Sequence, residues 1–244
     1  MLSDLFSCDF RIRFYEAGPD NRLTLPSMIN YIQELAHLHT ASQKVGIEDI
    51  HEFGLTWVVS RTRLEMEYRP ESGDTVRGYI WGGEPQRLLV PRHYIFQSVL
   101  TGKTVAKCST YWLMINLNTH YPALPERYYR PVGIDNEQRA PQENLTLERI
   151  STLPANDPME IRIGQYHLDS NKHVNNRFYL AFTETWLARK KGRPVVIQSV
   201  QINFNSSLEF GDVAICTGEL EGNHFRVVGH TLSGNNVFSS AGSL

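Results

Sequence analysis

Three cysteines in 244 residues, Cys8, Cys108 and Cys216, are too few, too widely spaced and odd in number for a disulfide framework or a cysteine-rich metal site. They read as buried or incidental thiols of a reducing compartment. The chain also lacks an excess of either charge: 24 Lys and Arg against 26 Asp and Glu leave a net charge of -2, so nothing global attracts it to nucleic acid. No apolar run approaches the roughly 20 residues of a membrane-spanning helix. The first residues, MLSDLFSCDFRIRF, carry Asp4 and Asp9 and no long apolar core, which fits neither a secretory signal nor a transit peptide. The expectation is a cytoplasmic globular protein with no membrane span and no nucleic-acid partner. Its 41% hydrophobic content suffices for one large core or two small ones.

What is present is a repeat. At an offset of 151 residues Tyr15 meets Tyr166, Leu23 meets Val174, Met28 meets Tyr179, Ile29 meets Leu180 and Tyr31 meets Phe182. Each block leads into a helix. The first helix is expected over about Leu25 to Val45, with Thr24 as cap, Pro26 in the first turn and Gly46 as terminator. Met28, Ile29, Ile32, Leu35 and Ala36 form its apolar stripe. From Ser60 to Arg69, Thr62, Leu64, Met66 and Tyr68 alternate with charged residues, the period of a strand with one wet face. At an offset of 138, Val200, Ile202 and Phe204 fall on Thr62, Leu64 and Met66, and Gly211-Asp212 falls on Gly73-Asp74. The second copy is expected to have its helix over Arg177 to Lys190.

After each Gly-Asp pair the chain reads as short strands broken by turn signals. One long helix per antiparallel meander is the only cover available for the apolar face of the sheet. That gives an α+β fold: a tandem double hotdog, each unit a long helix wrapped by a curved antiparallel sheet. The expected domains are an N-terminal hotdog over 1-121, a Pro-rich linker over 122-158 and a C-terminal hotdog over 159-244. The linker stretch, Pro122 to Pro158, holds six of the 12 prolines, which remove ladder donors and stop helices.

The richest stretch chemically is Tyr166 to Asn176. Asp169, Asn171 and His173 alternate, so in an extended approach to a helix they converge beside its N-terminus, where amide groups and the dipole favour developing negative charge. Other readings compete. Asx residues build turns and caps, the more natural role for Asn175 and Asn176. A calcium loop fails because its sixth and twelfth places are Val174 and Leu180. A zinc site from His167, Asp169 and His173 lacks any recognised ligand spacing. Under the repeat, Asp169, Asn171 and His173 correspond to Gly18, Asp20 and Arg22, so the first copy lacks the constellation.

Five stretches together resemble the plant and bacterial acyl-acyl carrier protein thioesterases: the Tyr15-Glu16 approach to the first helix, Thr56-Trp57-Val58-Val59-Ser60-Arg61, Tyr111-Trp112-Leu113-Met114, the string Asp169-x-Asn171-x-His173-Val174-Asn175-Asn176, and Glu209-x-Gly211. The resemblance implies hydrolysis of the thioester between a fatty acyl chain and the phosphopantetheine arm of acyl carrier protein, releasing free fatty acid. It places the catalytic residues on Asp169, Asn171, His173 and Glu209, with no metal and no cofactor. One position departs: where plant members carry a cysteine after the glutamate, this chain has Phe210, so a Cys-His-Asn mechanism has no support. Glu209 also has a counterpart in the first copy, Glu71, which leaves a structural role at a strand end open for it.

Thioester hydrolysis needs an activated water, a polarised carbonyl and a proton for the departing thiol. In the expected mechanism Glu209 and His173 position and deprotonate the water, Asp169 orients the site, and Asn171 with amides of the second helix stabilises the oxyanion. A carboxylate nucleophile passing through an acyl anhydride is the rival. The first copy, lacking the constellation, is expected to line the acyl pocket with Met28, Ile32, Trp57 and Met66, which equally read as core. Carrier docking is expected to use basic residues among Arg61, Arg63, Arg189 and Lys190, although cations at a helix end are ordinary dipole partners. An acyl-CoA thioesterase and a non-catalytic acyl-binding hotdog are the alternative functions. A double hotdog is complete as a monomer, with homodimer pairing left open.

Overall fold

The alternation that begins at Ser60 is part of a longer strand whose earlier half runs in the opposite phase. The computed structural model describes residues 5–125, 150 and 157–244, and strand β2 covers Leu55–Met66. Leu55 and Trp57 are buried in its first half, Thr62 and Leu64 in its second. The odd-to-even switch is a β-bulge: Val59 faces Trp112, Arg61 faces Tyr111, and Ser60 is the extra residue. A bulge inserts one residue and turns the following side chains to the other face.

The chain divides into two compact units, Met1–Leu147 and Glu148–Leu244. In the first, β1 (Phe6–Arg11), β2, β3 (Thr75–Gly82), β4 (Leu89–Ser98) and β5 (Thr104–Asn116) form an antiparallel sheet in the order β1-β3-β4-β5-β2. The short β6 (Pro122–Ala123) pairs with β5. In the second unit, β7 (Met159–Arg162), β8 (Ser199–Phe204), β9 (Val213–Glu221), β10 (His224–Thr231) and β11 (Asn236–Ser243) run β7-β9-β10-β11-β8. This is the order of the first unit, strand for strand. The repeat is therefore a repeat of topology, and the protein is a tandem double hotdog.

Helix α1 (Leu25–Ser42) packs its stripe of Met28, Ile29, Ile32, Leu35 and Ala36 inward, with Thr24 Oγ1 accepting from the amide of Ser27 at 3.3 Å. It stops three residues short of Val45. Gly46 does not terminate it but caps the short helix α2 (Ile47–His51). The helix and sheet approach closely at Gly78, where a Cβ would lie 2.8 Å from Leu35 Cδ2 and 2.7 Å from Phe96 Cε1. Any side chain there forces both neighbours to move.

Helix α3 (Asn176–Lys191) exceeds the expected Arg177–Lys190 by one residue at each end. Asn175 caps it, its Oδ1 accepting from the amide of Arg177 at 3.1 Å, and Gly192 ends it in the left-handed region at φ 67. Tyr179, Leu180, Phe182, Thr183, Trp186 and Leu187 face the core. In β8 the apolar alternation holds for Val200 and Ile202, yet Gln201 and Asn203 between them are buried too, bonded to each other at 3.1 Å. Most of the Pro122 to Pro158 linker lies outside the described residues.

Candidate active site

The loop that opens the second unit's helix is built by local hydrogen bonds. A single 3-10 turn, Gln165–His167, is closed by the amide of Gly164 donating to His167 Nδ1 at 2.9 Å. The His167 ring is buried among Tyr166, Phe178 and Phe182, and burial pushes its pKa down, leaving it neutral. Leu168 then pairs with Val174 across a tight turn. Within it the Asp169 amide donates to the His173 carbonyl at 2.8 Å and the Lys172 amide to the Asp169 carbonyl at 3.0 Å. Lys172 takes a positive φ of 65 at the apex.

Asp169, Asn171 and His173 therefore sit on a turn, where an extended run was expected. The cause is the Asx chemistry itself: Asp169 Oδ1 accepts from the Asn171 amide at 2.8 Å, a local bond that competes with strand geometry. Asn171 is exposed, Asp169 and His173 half-buried. The amide of Val174 donates to the Leu208 carbonyl at 2.9 Å, which ties this turn to the one that carries Glu209. There Asp212 Oδ2 accepts from the Glu209 amide at 2.8 Å, and Gly211 adopts φ 89, open to glycine without strain. His173 Nε2 ends 3.7 Å from Glu209 Oε1, their side chains 45% and 70% exposed. That is beyond direct hydrogen-bond length but within the span of an ion pair, or of one bridging water.

The structure brings His173 and Glu209 together and fixes Asp169 to the backbone of Asn171. It also adds residues that the sequence reading passed over. Tyr179 is buried one turn into α3 among Phe182, Phe204 and Phe238, and its hydroxyl is held protonated chiefly by burial, with Asp169 and Asp212 close enough to contribute. Asp212 was visible in the repeated Gly-Asp pair, but only as a turn marker. Two of the helix amides expected at the oxyanion are in use: Arg177 N donates to Asn175 Oδ1 and Phe178 N to the Asn175 carbonyl at 2.9 Å. Among the described residues no group of three or more His, Cys, Asp or Glu could hold a metal ion.

The first unit repeats this architecture bond for bond, with other side chains. Gly18 N donates to the Arg22 carbonyl at 2.8 Å, Leu23 N to Pro70 O, and Asn21 takes φ 58, matching Asp169, His173, Val174, Leu208 and Lys172. Where the second unit has His173 and Glu209, the first has an ion pair, Arg22 Nη2 to Glu71 Oε1 at 3.0 Å. Where it has Asn171, the first has Asp20, clamped by Arg69 at 2.6 and 3.1 Å. The first copy is closed by ion pairs. In the second, among the described residues, no arginine clamps the corresponding groups, and His173 faces Glu209 at 3.7 Å.

Of the expected pocket residues, Met28 and Ile32 are buried on α1, and Trp57 belongs to a core cluster with Ile50, Leu55, Val90 and Met114. Met66 is half-buried at the end of β2. The Arg92 guanidinium lies over the rings of Trp57 and Trp112 at 5.5 and 5.7 Å. Of the expected docking cations, Arg189 and Lys190 both pair with Asp157, at 3.0 and 3.2 Å, and Arg63 pairs with Glu65 at 2.9 Å. Among the described residues no helix is long and apolar enough to cross a membrane.

Comparison with known proteins gives this geometry a family. The chain is 28% identical over 191 residues, 73% of its length, to the chloroplastic dodecanoyl-[acyl-carrier-protein] hydrolase of Umbellularia californica, and 25% identical to the palmitoyl-acyl carrier protein thioesterase of Arabidopsis thaliana. It spans about half the length of these relatives, 50% and 51%. In fold it is similar to an acyl-ACP thioesterase from Bacteroides thetaiotaomicron, with a TM-score of 0.88 at 22% identity over 100% of this chain and 99% of that one. It is also similar to the 12:0-ACP thioesterase of Umbellularia californica, with a TM-score of 0.78 at 21% identity over 98% and 96%. Residues 3–128, just over half of the 244, match the model of the acyl-ACP thioesterase N-terminal domain, and the chain belongs to that family.

Proposed function

We propose that this protein hydrolyses the thioester of a fatty acyl chain carried on acyl carrier protein and releases the free fatty acid. The observation that carries the reading is the pairing of His173 with Glu209 at 3.7 Å, on a turn whose counterpart in the first unit is locked by ion pairs. Family membership supports the substrate class, since the named relatives act on acyl-carrier-protein thioesters.

In the proposed reaction a water between Glu209 and His173 loses a proton to that pair as its oxygen attacks the thioester carbon. The carbonyl oxygen becomes an oxyanion stabilised by the Asn171 carboxamide. Collapse of the tetrahedral intermediate breaks the C–S bond, and the proton held by the pair passes to the departing thiolate. Asp169 orients the turn through its bond to the Asn171 amide. Acid and base groups placed in this way contribute about 10²- to 10⁴-fold each.

The division of labour belongs to the same proposal: residues 159-244 carry the chemistry, and the apolar interior of residues 1-121 takes the acyl chain, with Met28, Ile32, Trp57 and Met66 as contacts. Each buried methylene contributes about 0.8 kcal/mol, which allows discrimination by chain length. A cytoplasmic setting accords with Cys8, Cys108 and Cys216 all being free thiols. The test is a turnover panel of carrier-protein and coenzyme A thioesters of graded chain length, with His173→Ala alongside. Turnover of carrier-protein thioesters that falls with salt and is lost in His173→Ala is expected. Faster turnover of the coenzyme A series would move the assignment to an acyl-CoA thioesterase. No turnover by folded protein would leave an acyl-binding module.

A further inference from the structure

Leu208 lies between β8 and β9, one residue before Glu209, and Val174 lies one residue after His173. The bond that joins them, Val174 N to Leu208 O at 2.9 Å, therefore ties the two turns together next to both members of the pair. Leu208 is held a second time, because its amide donates to the hydroxyl of Tyr179. Leu208 and Tyr179 are 0% and 3% exposed. The Tyr179 ring is wedged among Phe182 of α3, Phe204 of β8 and Phe238 of β11, with centroids 6.0, 5.7 and 5.4 Å away, so its oxygen has a fixed place. With amide and carbonyl both bonded, the backbone angles of Leu208 are set, and with them the direction in which Glu209 projects.

The first unit shows that the fold does not need this contact. There Leu23 N donates to Pro70 O at 2.9 Å, so Pro70 stands at the place of Leu208, and Met28, five residues after Leu23, at that of Tyr179. Met28 and Pro70 are buried as well. Proline has no amide hydrogen and its ring fixes φ, so this strand end is held without a second bond. Leucine leaves φ free and puts an N–H into the interior, where it needs an acceptor. The second unit thus replaces a rigid apolar joint by a polar one, and it is the unit whose glutamate faces a histidine instead of an arginine.

We propose that Tyr179 is a positioning residue for the hydrolysis: its buried hydroxyl holds Leu208, and through it Glu209, opposite His173. The inference rests on the reading that His173 and Glu209 are the acid–base pair. A misplacement of about 1 Å at such a pair can cost up to about 10²-fold in rate.

The experiment compares wild type, Tyr179→Phe, Glu209→Gln and the double variant on a carrier-protein thioester, with rates taken per folded protein. Tyr179→Phe keeps the ring and removes the oxygen. It is expected to lower kcat about tenfold with KM changed by less than about twofold, and to accelerate hydrogen exchange at the Leu208 amide. In the Glu209→Gln background the same substitution should change kcat by less than about twofold, since the group it positions is already lost. Tyr179→Met, which installs the residue of the first unit, should give the same pattern and carries the test if Tyr179→Phe does not fold. The proposal is overturned if kcat is unchanged without the hydroxyl, if the loss appears in KM alone, or if kcat falls by the same factor in both backgrounds, as a general loosening of structure would give. Failure of the parent reading looks different: wild-type protein turns over no thioester, or Glu209→Gln is as fast as wild type, and either result overturns both.

Discussion

Arg22 and Glu71 form a 3.0 Å ion pair at the positions that His173 and Glu209 occupy in the second unit, where the separation is 3.7 Å. The same backbone turn thus carries a finished salt bridge in one copy and a titratable pair in the other. Both glutamate amides are held by the aspartate three residues on, Glu71 by Asp74 at 3.1 Å and Glu209 by Asp212 at 2.8 Å. A glutamate at this strand end is therefore compatible with a purely structural role, and its partner decides what else it does.

Replacing Glu209 with Gln keeps the side-chain volume and the turn, since the backbone amide and Asp212 make that bond. The expected outcome is a fall in kcat of about 10²-fold or more with little change in melting temperature, and His173→Ala should match it within the range of a general acid–base residue. Because the two act as a unit, the double variant should be no worse than the poorer single variant. Near-normal turnover in Glu209→Gln would remove it from the chemistry. A single turnover in ¹⁸O-labelled water should put the label in the fatty acid and none in the protein carboxylates; label on Glu209 or Asp169 would establish an anhydride route.

The first-unit ion pairs should matter for stability and not for turnover. Arg69 bonds the carbonyls of Leu23 and Arg22 at 2.7 and 3.0 Å in addition to Asp20, and it is mostly buried. Arg69→Ala should cost about 1–3 kcal/mol in urea unfolding, because two carbonyls and a carboxylate lose a charged donor. The Arg22–Glu71 pair is exposed, and Arg22→Ala should cost no more than about 1 kcal/mol. Turnover by either variant that drops in step with its loss of stability is accounted for. A large loss of kcat in a stable Arg22→Ala protein would give the first unit a chemical role.

Much of this fold was legible because its signals are periodic. The offsets of 151 and 138 survive as paired hydrogen bonds, as in Gly73 N to Ile12 O and Gly211 N to Ile163 O, at 2.9 and 3.0 Å. The Ser60 bulge was not legible, because a phase switch inside an apolar-aromatic run is indistinguishable from noise in one sequence. The turn at Asp169 was misread for a different reason: alternation of Asp, Asn and His fits a strand by spacing, but their side chains bond local backbone and fold the chain back. The end of α1 was placed late because Gly46 is a good stop signal that here serves as a start.

Two buried histidines of the first unit make stability depend on pH. Burial lowers the pKa of His39 to about 3, helped by Arg92, and that of His93 to about 4; His93 Nδ1 lies 2.8 Å from the Ser109 hydroxyl. Both are neutral when folded, while the unfolded chain protonates near 6.5. Folding stability is therefore full above about pH 6.5 and falls as the pH drops toward the folded values. Each group costs up to about 1.4 kcal/mol per pH unit in that window. Urea unfolding near pH 5 should show the protein about 3 to 4 kcal/mol less stable than near pH 7, and His93→Gln should remove about half of that difference. An unchanged slope in His93→Gln would assign the acid sensitivity to other groups.

Asp169 is the residue where turn geometry and charge can be separated. Its Oδ1 accepts from the Asn171 amide at 2.8 Å, and the amide oxygen of an asparagine can do the same, so Asp169→Asn should preserve the turn while removing the carboxylate. Asp169→Ala removes both and frees the loop that precedes α3. If Asp169 acts mainly by holding Asn171 and His173 in place, Asp169→Asn should retain most of the wild-type kcat and melting temperature, whereas Asp169→Ala should lose at least about tenfold in kcat. If its charge matters to the water or to His173, both variants should lose activity alike while only Asp169→Ala loses stability, and the pH profile of Asp169→Asn should shift. Local order separates the cases independently of rate, because hydrogen exchange at the Lys172 amide, which donates to the Asp169 carbonyl at 3.0 Å, should accelerate in Asp169→Ala and hold in Asp169→Asn.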